Sequence, residues 1–482
     1  MKPIKPQKNN NTKGVDTLLG DPKKAIITLA LPMIVAMSVQ TIYNFADALF
    51  VSGFASSLFT SVDVPNTGKD ALAAVGFAFP FFMMAISLST GLGIGSGSAI
   101  SRRIGAQDKT GADNVAIHSI ILMGITAIIY TMILLPSAQF LFPALGSGTA
   151  TEMAVSYGQI IFAGSIVVFF INTATAILRG EGDAKRAMYA IILGTLLNLI
   201  LDPLFIFTFG LGIQGAAYAT VLSMTISSML LLYWLFFRKD TYVNFHFRDF
   251  RFKKDILKDI FRVGIPGSVQ QLSMSITMVI INIIIVMVAM GGEDGVAVFF
   301  TGWRVVMLAL LPMLGFATAI ISVTGAAYGA KSYEKLKTAF LFSVKIGFIV
   351  EILLALVIFL LAPFLTGIFT TAEGSAVIAD DLQHFLEIIV LFFPAAALGI
   401  AASSMFQGVG KGVYALFATL IRSIFLTILL ALIFIPFFTP AIIGIWWGII
   451  IANLIGSLIS FGWALWYLKK VRQQFTSAMP CG

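Results

Sequence analysis

Two aspartates, Asp47 and Asp202, interrupt long apolar runs in the first half of a 482-residue chain. A carboxylate in hydrocarbon has few stable options: it carries a proton, ligates a cation or pairs with a base. Apart from Lys24 at one edge, the apolar runs of this half contain no Lys or Arg. Proton carriage or cation binding, with H⁺ or Na⁺ held at Asp47 and Asp202, is therefore the chemistry to expect. The neighbours suit it. Tyr43 and Asn44 precede Asp47 by four and three residues, Gln40 lies a turn further back, and Asn198 is one turn before Asp202. On a helix these groups share a face with the acids. Pro203 lacks the N–H that would satisfy the carbonyl of Leu199, which leaves an acceptor close to Asp202.

The elements that must position these residues follow from composition. The chain is 58% hydrophobic and 11% charged, with a strongly positive mean hydropathy, which excludes an ordinary soluble domain. Runs long enough to cross the bilayer occur at 24–53, 72–101, 113–142, 152–178, 187–209, 213–237, 259–291, 295–326, 337–371, 379–407, 412–437 and 439–468, giving spans 1 to 12 of an all-α integral membrane protein. Lys and Arg fall in alternate loops and in both tails. The first tail has Lys2, Lys5, Lys8, Lys13, Lys23 and Lys24; Arg102, Arg103 and Lys109 follow, then Arg179, Lys185 and Arg186. The central loop has Lys239, Arg248 and Arg251 among others, and Lys469, Lys470 and Arg472 close the pattern, while only Lys69 lies in the other set. The bias places both termini in the cytoplasm of a multi-pass plasma-membrane protein. The net charge of +8 is thus a topology signal, dispersed over loops and unsuited to a nucleic-acid face. The polar start has no cleavable apolar core, and the single Cys481 excludes an internal disulfide framework.

The chain also repeats itself. ALPMIVAMSVQ around Pro32 matches GIPGSVQQLSM around Pro266, Gly105 matches Gly329, Gly180 matches Gly408 and Gly212 matches Gly444, in one order and at offsets of 224 to 234. Each unit contains six spans, so the copies share one orientation and are related by an axis along the membrane normal. The organisation expected is a tail at 1–23, an N-lobe at 24–237, a linker at 238–258, a C-lobe at 259–468 and a tail at 469–482. Spans 1 and 5 both run outward and put Asp47 and Asp202 at similar depth, about 10 Å from the outer boundary at 1.5 Å per residue. Tyr157 and Thr220 fall at comparable depth in spans 4 and 6. Two six-helix lobes facing a cleft suit alternating access.

Here the residues resemble a known family. YNFAD after the Pro32 kink, ISRRIGAQD, ILRGEGDAKRAM and NLILDPLFI followed by GLGIQGAAYAT together look like the multidrug and toxic compound extrusion (MATE) family, in its DinF-like branch, with a prokaryotic or archaeal source. The resemblance implies two pseudo-symmetric six-helix bundles forming a V-shaped cleft. It also implies export of organic cations and other toxic amphiphiles, by a chain working as a monomer, against an inward flow of protons or sodium ions. Tyr43, Asn44, Asp47, Tyr157, Asn198, Asp202 and Thr220 would be its N-lobe network. The related NorM-like branch carries a span-7 carboxylate. In this chain the stretch has Gln270, Gln271 and Met274 instead, which argues against a C-lobe sodium site of that kind.

The second lobe has charges of both signs. Arg304 and Glu387 lie at one depth, Glu351 and Arg422 at another, and the expectation is two structural ion pairs. Gln271, Met274 and Met278 would line the C-lobe side of the cleft, methionines offering soft contacts to flat apolar substrates. GLGIGSG at 91–97 imitates a dinucleotide loop but ends a span, so small-residue helix packing is the reading. His118, His246 and His384 are isolated and give no metal site. Asn172, Thr173 and Thr175 have no assignable role. No P-loop, nucleophile-and-base set or cofactor motif is present, so no enzyme is expected. A lipid-linked-precursor flippase, which would need an unpaired basic cavity, is the alternative.

Overall fold

The computed structural model describes residues 11–51, 68–238, 240–245, 250–288, 292–370 and 375–477. Within them the regular structure is helical throughout, because a chain in hydrocarbon must satisfy its backbone polar groups inside each segment. Span 1 is Pro22–Val51, span 2 Lys69–Gly105 and span 3 Lys109–Ala144. Span 4 is a bent pair, Thr151–Ala163 and Ser165–Gly180, and span 5 is Ala184–Pro203 with a π-helical turn at Leu204–Thr208. Span 6 is Gly212–Leu232, span 7 Lys254–Val288, span 8 Gly292–Gly329 and span 9 Tyr333–Phe369. Span 10 is a second bent pair, Ala379–Ile389 and Phe392–Gly408; span 11 is Gly412–Leu420, a π turn at Ile421–Leu426 and Thr427–Phe434; span 12 is Ala441–Ser477. Counting each bent pair as one span, the described residues give 12. The calls on Lys2, Lys5, Lys8, Lys239, His246, Arg248 and Cys481 lie outside the described residues.

The first and last described segments sit on one face. A short helix, Lys13–Leu19, packs Gly14 against the backbone of Glu181 and Gly182, Lys335 donates to the Leu19 carbonyl, and Phe475 meets the Tyr328 ring. The loops on this face carry the motifs read from sequence, and their chemistry explains the helix starts. Asp108 accepts from Gly111 N at 2.8 Å and Asp183 from Arg186 N at 3.1 Å, each capping the next span. The left-handed residues just before these starts recur in the other lobe: Gln107 (φ 57°) answers Lys331 (φ 51°), and Gly182 (φ 89°) answers Gly410 (φ 80°). The linker is tied to N-lobe loops: Val243 N donates to Glu181 at 2.9 Å, Asn244 N to Asp113 at 2.8 Å and Lys253 N to His118 at 3.1 Å. His118 thereby serves as an interface residue, with Phe250 and Phe252 against its ring.

The lobes close on each other along a seam on the terminus-bearing side. A Cβ on Gly105 would fall 1.9 Å from the Ala326 carbonyl oxygen, and one on Gly329 would fall 1.9 Å from the Arg102 carbonyl oxygen. The contact is reciprocal, as a two-fold axis demands. GLGIGSG extends the seam: Gly91 and Gly95 press on Gly264 of span 7, while Gly93 and Gly97, on the opposite face, press on Asn172 and Ala176 of span 4. Ser98 donates to the Gln407 carbonyl at 2.5 Å, and Arg102 reaches Asp259 at 2.7 Å. Backbone approaches of this kind require glycine.

Candidate functional site

A cavity of about 700 Å³ lies between the lobes, and its walls come from both. On the N-lobe wall stand Gln40, Tyr43, Asn44, Asp47, Tyr157, Asn198 and Thr220, and on the C-lobe wall Gln271, Met274 and Met278. The structure therefore gathers every polar residue predicted for the cleft except Asp202. That carboxyl is fully buried one layer behind the wall. Its partners connect it to the surface: Asn198 Nδ2 donates to Asp202 Oδ1 at 2.7 Å, and the Tyr43 hydroxyl lies 3.1 Å from Asp202 Oδ2 and 2.7 Å from Asn198 Oδ1. Asp47 interacts through its carboxyl with Asp202 and Tyr43, and Tyr157 lies within electrostatic reach of both acids. Two carboxyl groups that meet in this way repel unless a proton or cation lies between them.

Local sequence explains the placement. Tyr43 and Asp47 are one turn apart on span 1, as are Asn198 and Asp202 on span 5, so two i, i+4 pairs face each other. Pro32, buried within Pro22–Val51, leaves span 1 continuous but short of one backbone hydrogen bond. Behind Asp202, Pro203 opens the π turn at Leu204–Thr208, a distortion frequent at functional sites. Among the described residues, no cluster of three or more His, Cys, Asp or Glu could hold a metal ion.

The C-lobe corrects the sequence reading. Neither expected ion pair forms among the described residues. Gly302 packs on the Phe385 ring of span 10, so Arg304, two residues on, is turned about 200° away from that span. Arg304 is exposed, and Glu387 instead accepts from Gln383, one turn back in its own helix, at 2.8 Å. Glu351 and Arg422 are held apart by span 10 itself. Gly347, one turn before Glu351, faces Met313 and Ala397, whereas Arg422 packs on Gly399. Ala397 and Gly399 point to opposite sides of one helix. Glu351 is fully buried with both carboxyl oxygens unpartnered, and Arg422 lines the cavity with Asn453 as partner at 2.7 Å. What the pairing expectation lacked for these four was azimuth around the helix.

A polar chain on the same wall escaped the sequence reading. Gln407 Nε2 donates to Gln270 Oε1 at 2.8 Å, Gln270 Nε2 to Thr419 at 2.7 Å, and Thr419 meets Ser403 at 3.2 Å. The only signal was an amide in an apolar run on each of spans 7 and 10. Asn172, left without a role, lines the cavity and donates to Ser89 at 3.0 Å; Thr175 bonds its own helix at the Ile171 carbonyl, 2.7 Å.

Twelve-span architecture with two lobes around a largely apolar cavity that carries polar groups on both walls defines a membrane transporter. The chain belongs to the MatE family, whose profile matches residues 32–204 and 269–433. The multidrug export protein MepA of Staphylococcus aureus (strain bovine RF122 / ET3-1) is 23% identical over 442 residues, 90% of this chain and 92% of that protein. A structure described as the outward-facing conformation of a multidrug resistance MATE family transporter of the MOP superfamily is 47% identical, with a TM-score of 0.90, over 96% of this chain and 99% of that one. A MATE crystal structure in the bent conformation is 45% identical, with a TM-score of 0.89, over 97% and 100%.

Proposed function

We propose that this protein is a cation-coupled exporter of amphiphilic, mainly cationic compounds, working as a monomer by alternating access, with H⁺ as the coupling ion and Na⁺ as the second choice. One observation carries the reading: two carboxyls from different spans, Asp47 on the wall of an inter-lobe cavity and Asp202 behind it, meet there bonded to a phenol and an amide, with no base beside them among the described residues. The terminus-bearing face is cytoplasmic, as the Lys and Arg bias demands. The seam then closes the cytoplasmic side, and the cavity is loaded with ion from outside. Neutralising Asp47 changes its partners Tyr43 and Asp202, both tied to Asn198; span 1, already short of a backbone bond at Pro32, bends and reduces the N-lobe volume. Substrate leaves, the lobes rock about the seam, and the ion exits inward. The relatives, a multidrug export protein and a MATE structure in a bent conformation, are consistent with this cycle. The acid pair together with Gln270, Gln271 and Met274 in span 7 fits the DinF-like branch.

The test is ethidium efflux from proteoliposomes under an imposed pH gradient and then a sodium gradient, for wild type and Asp47→Asn. Gradient-driven efflux that vanishes in the variant supports the reading and identifies the ion. Full efflux by Asp47→Asn would remove the acid pair from the mechanism. A lipid flippase is the second reading, favoured by the two arginines, Arg179 and Arg422, at the cavity wall; it predicts no ethidium movement under either gradient.

A further inference from the structure

The cavity is not uniformly acidic. Opposite the acid pair, on the C-lobe wall, stands Arg422, and its surroundings are those of a constructed site. It lies in the π turn Ile421–Leu426 that interrupts span 11. The carbonyl of Arg422 accepts from Thr427 Oγ1 at 2.9 Å. Two glycines make room for the side chain: a Cβ on Gly456 would fall 2.7 Å from Arg422 Cα and Cβ, and one on Gly399 would fall 3.1 Å from its Cδ and Nε. Its orientation is fixed by Asn453, whose Oδ1 accepts from Nη1 at 2.7 Å while its Nδ2 donates to the Phe392 carbonyl at 3.1 Å. The residue is 8% exposed, and that exposure is to the cavity it lines.

What is missing is an anion. Among the described residues, no carboxylate lies within ion-pairing distance of Arg422, and Glu351 is shut off behind span 10. A guanidinium has five N–H donors in a fixed fork matched to carboxylate and phosphate. One is used on Asn453, and the rest have no side-chain or backbone acceptor among the described residues. A desolvated cation held rigidly with its fork unfilled is costly for folding alone, and a ligand that brings an oxyanion offsets that cost.

We propose that Arg422, held by Asn453 in the pocket made by Gly399 and Gly456, is the anion-recognising residue of the cavity and extends its cargo to amphiphiles bearing a carboxylate or phosphate, above all zwitterions. A zwitterion can place its cationic end toward the Asp47 wall and its anionic end on Arg422, so the two lobes divide the recognition of one molecule. The inference rests on the exporter reading for the nature of the cargo.

Equilibrium binding to the purified full chain tests it, with ciprofloxacin, ciprofloxacin methyl ester and didecanoyl phosphatidic acid as probes against wild type, Arg422→Gln and Arg422→Lys. The expected result is that Arg422→Gln weakens ciprofloxacin about tenfold and leaves the ester unchanged, the size of one charge-assisted hydrogen bond pair. Arg422→Lys, which keeps the charge but loses the fork, falls between and guards against misfolding. Weakening confined to phosphatidic acid assigns the same site to a lipid phosphate. Equal losses for acid and ester, or none for any probe, would overturn the proposal while wild-type binding of the ester keeps the exporter reading intact. Wild type that binds neither drug form nor the lipid overturns both.

Discussion

The two lobes have like skeletons and unlike walls. In each, the fifth helix carries a π turn beside a charged residue, but it is Asp202 near the far end of span 5 and Arg422 near the middle of span 11. In each, an amide from a neighbouring turn or helix holds that charge, Asn198 on the acid and Asn453 on the base. Where the lobes touch, by contrast, they match: Gly105 and Gly329 exchange the same contact, and Gln107 and Lys331 the same backbone turn. A duplicated fold can keep the geometry it moves with and diversify the surface it binds with, because backbone seams demand a residue size whereas walls demand only a helix face.

The largest break in this comparison comes from the acid wall. Asp47→Asn and Asp202→Asn are expected to abolish gradient-driven efflux, a loss of at least 100-fold, with thermal stability unchanged or improved because a buried charge is removed. A thermal melt beside the transport assay separates that from unfolding. Next come paired seam substitutions. Gly105→Ala and Gly329→Ala each place a Cβ 1.9 Å from a carbonyl oxygen, so each should destabilise by about 2–4 kcal/mol, the scale of strongly overpacked sites. The sharper expectation is that the two effects are equal; denaturation showing one silent and the other severe would mean the seam is not two-fold.

A smaller effect is expected from Tyr43→Phe, which removes the hydroxyl bonded to Asn198 and Asp202 while keeping the ring. Because that hydroxyl donates to the Asp202 carboxylate and stabilises its ionised form, a loss of about 1–2 kcal/mol should appear as a roughly tenfold tighter apparent affinity for H⁺, measured from the dependence of efflux rate on pH. The smallest lies in the loop after span 4. Burial pushes Glu181 up to about 8 from 4.5, its hydrogen bond from Val243 N opposing the shift. A carboxyl raised in the folded state contributes stability in full below its unfolded value, and that contribution is lost as pH rises through about 8. The repeat partner of Glu181 is Val409, which cannot titrate. Glu181→Gln should therefore flatten the fall in melting temperature between pH 5 and pH 8, while substitution of Val409 leaves that slope alone.

Much of this was legible in the sequence, and the failures have one cause. Span existence, including the residues of both bent spans, follows from hydropathy. Asp47 and Asp202 could be brought together because their helix-face companions Tyr43 and Asn198 marked the same side. Glu351 and Arg422 had no such companions to show azimuth, and span 10 passing between them was invisible to a one-dimensional reading. The Gln270, Thr419, Gln407 and Ser403 chain was hidden for the same reason: it exists only where spans 7, 10 and 11 converge, and no one span carries its pattern.

The glycine seam has a consequence for how such a molecule ages in evolution. Because Gly95, Gly105 and Gly329 meet backbone and not side chains, the seam between the lobes has no chemical preference for what the cavity holds. On the exporter reading, substitutions that retune Asn453 or Met274 for new cargo leave that seam untouched, so what the cavity holds can drift while the contact between the lobes stands still.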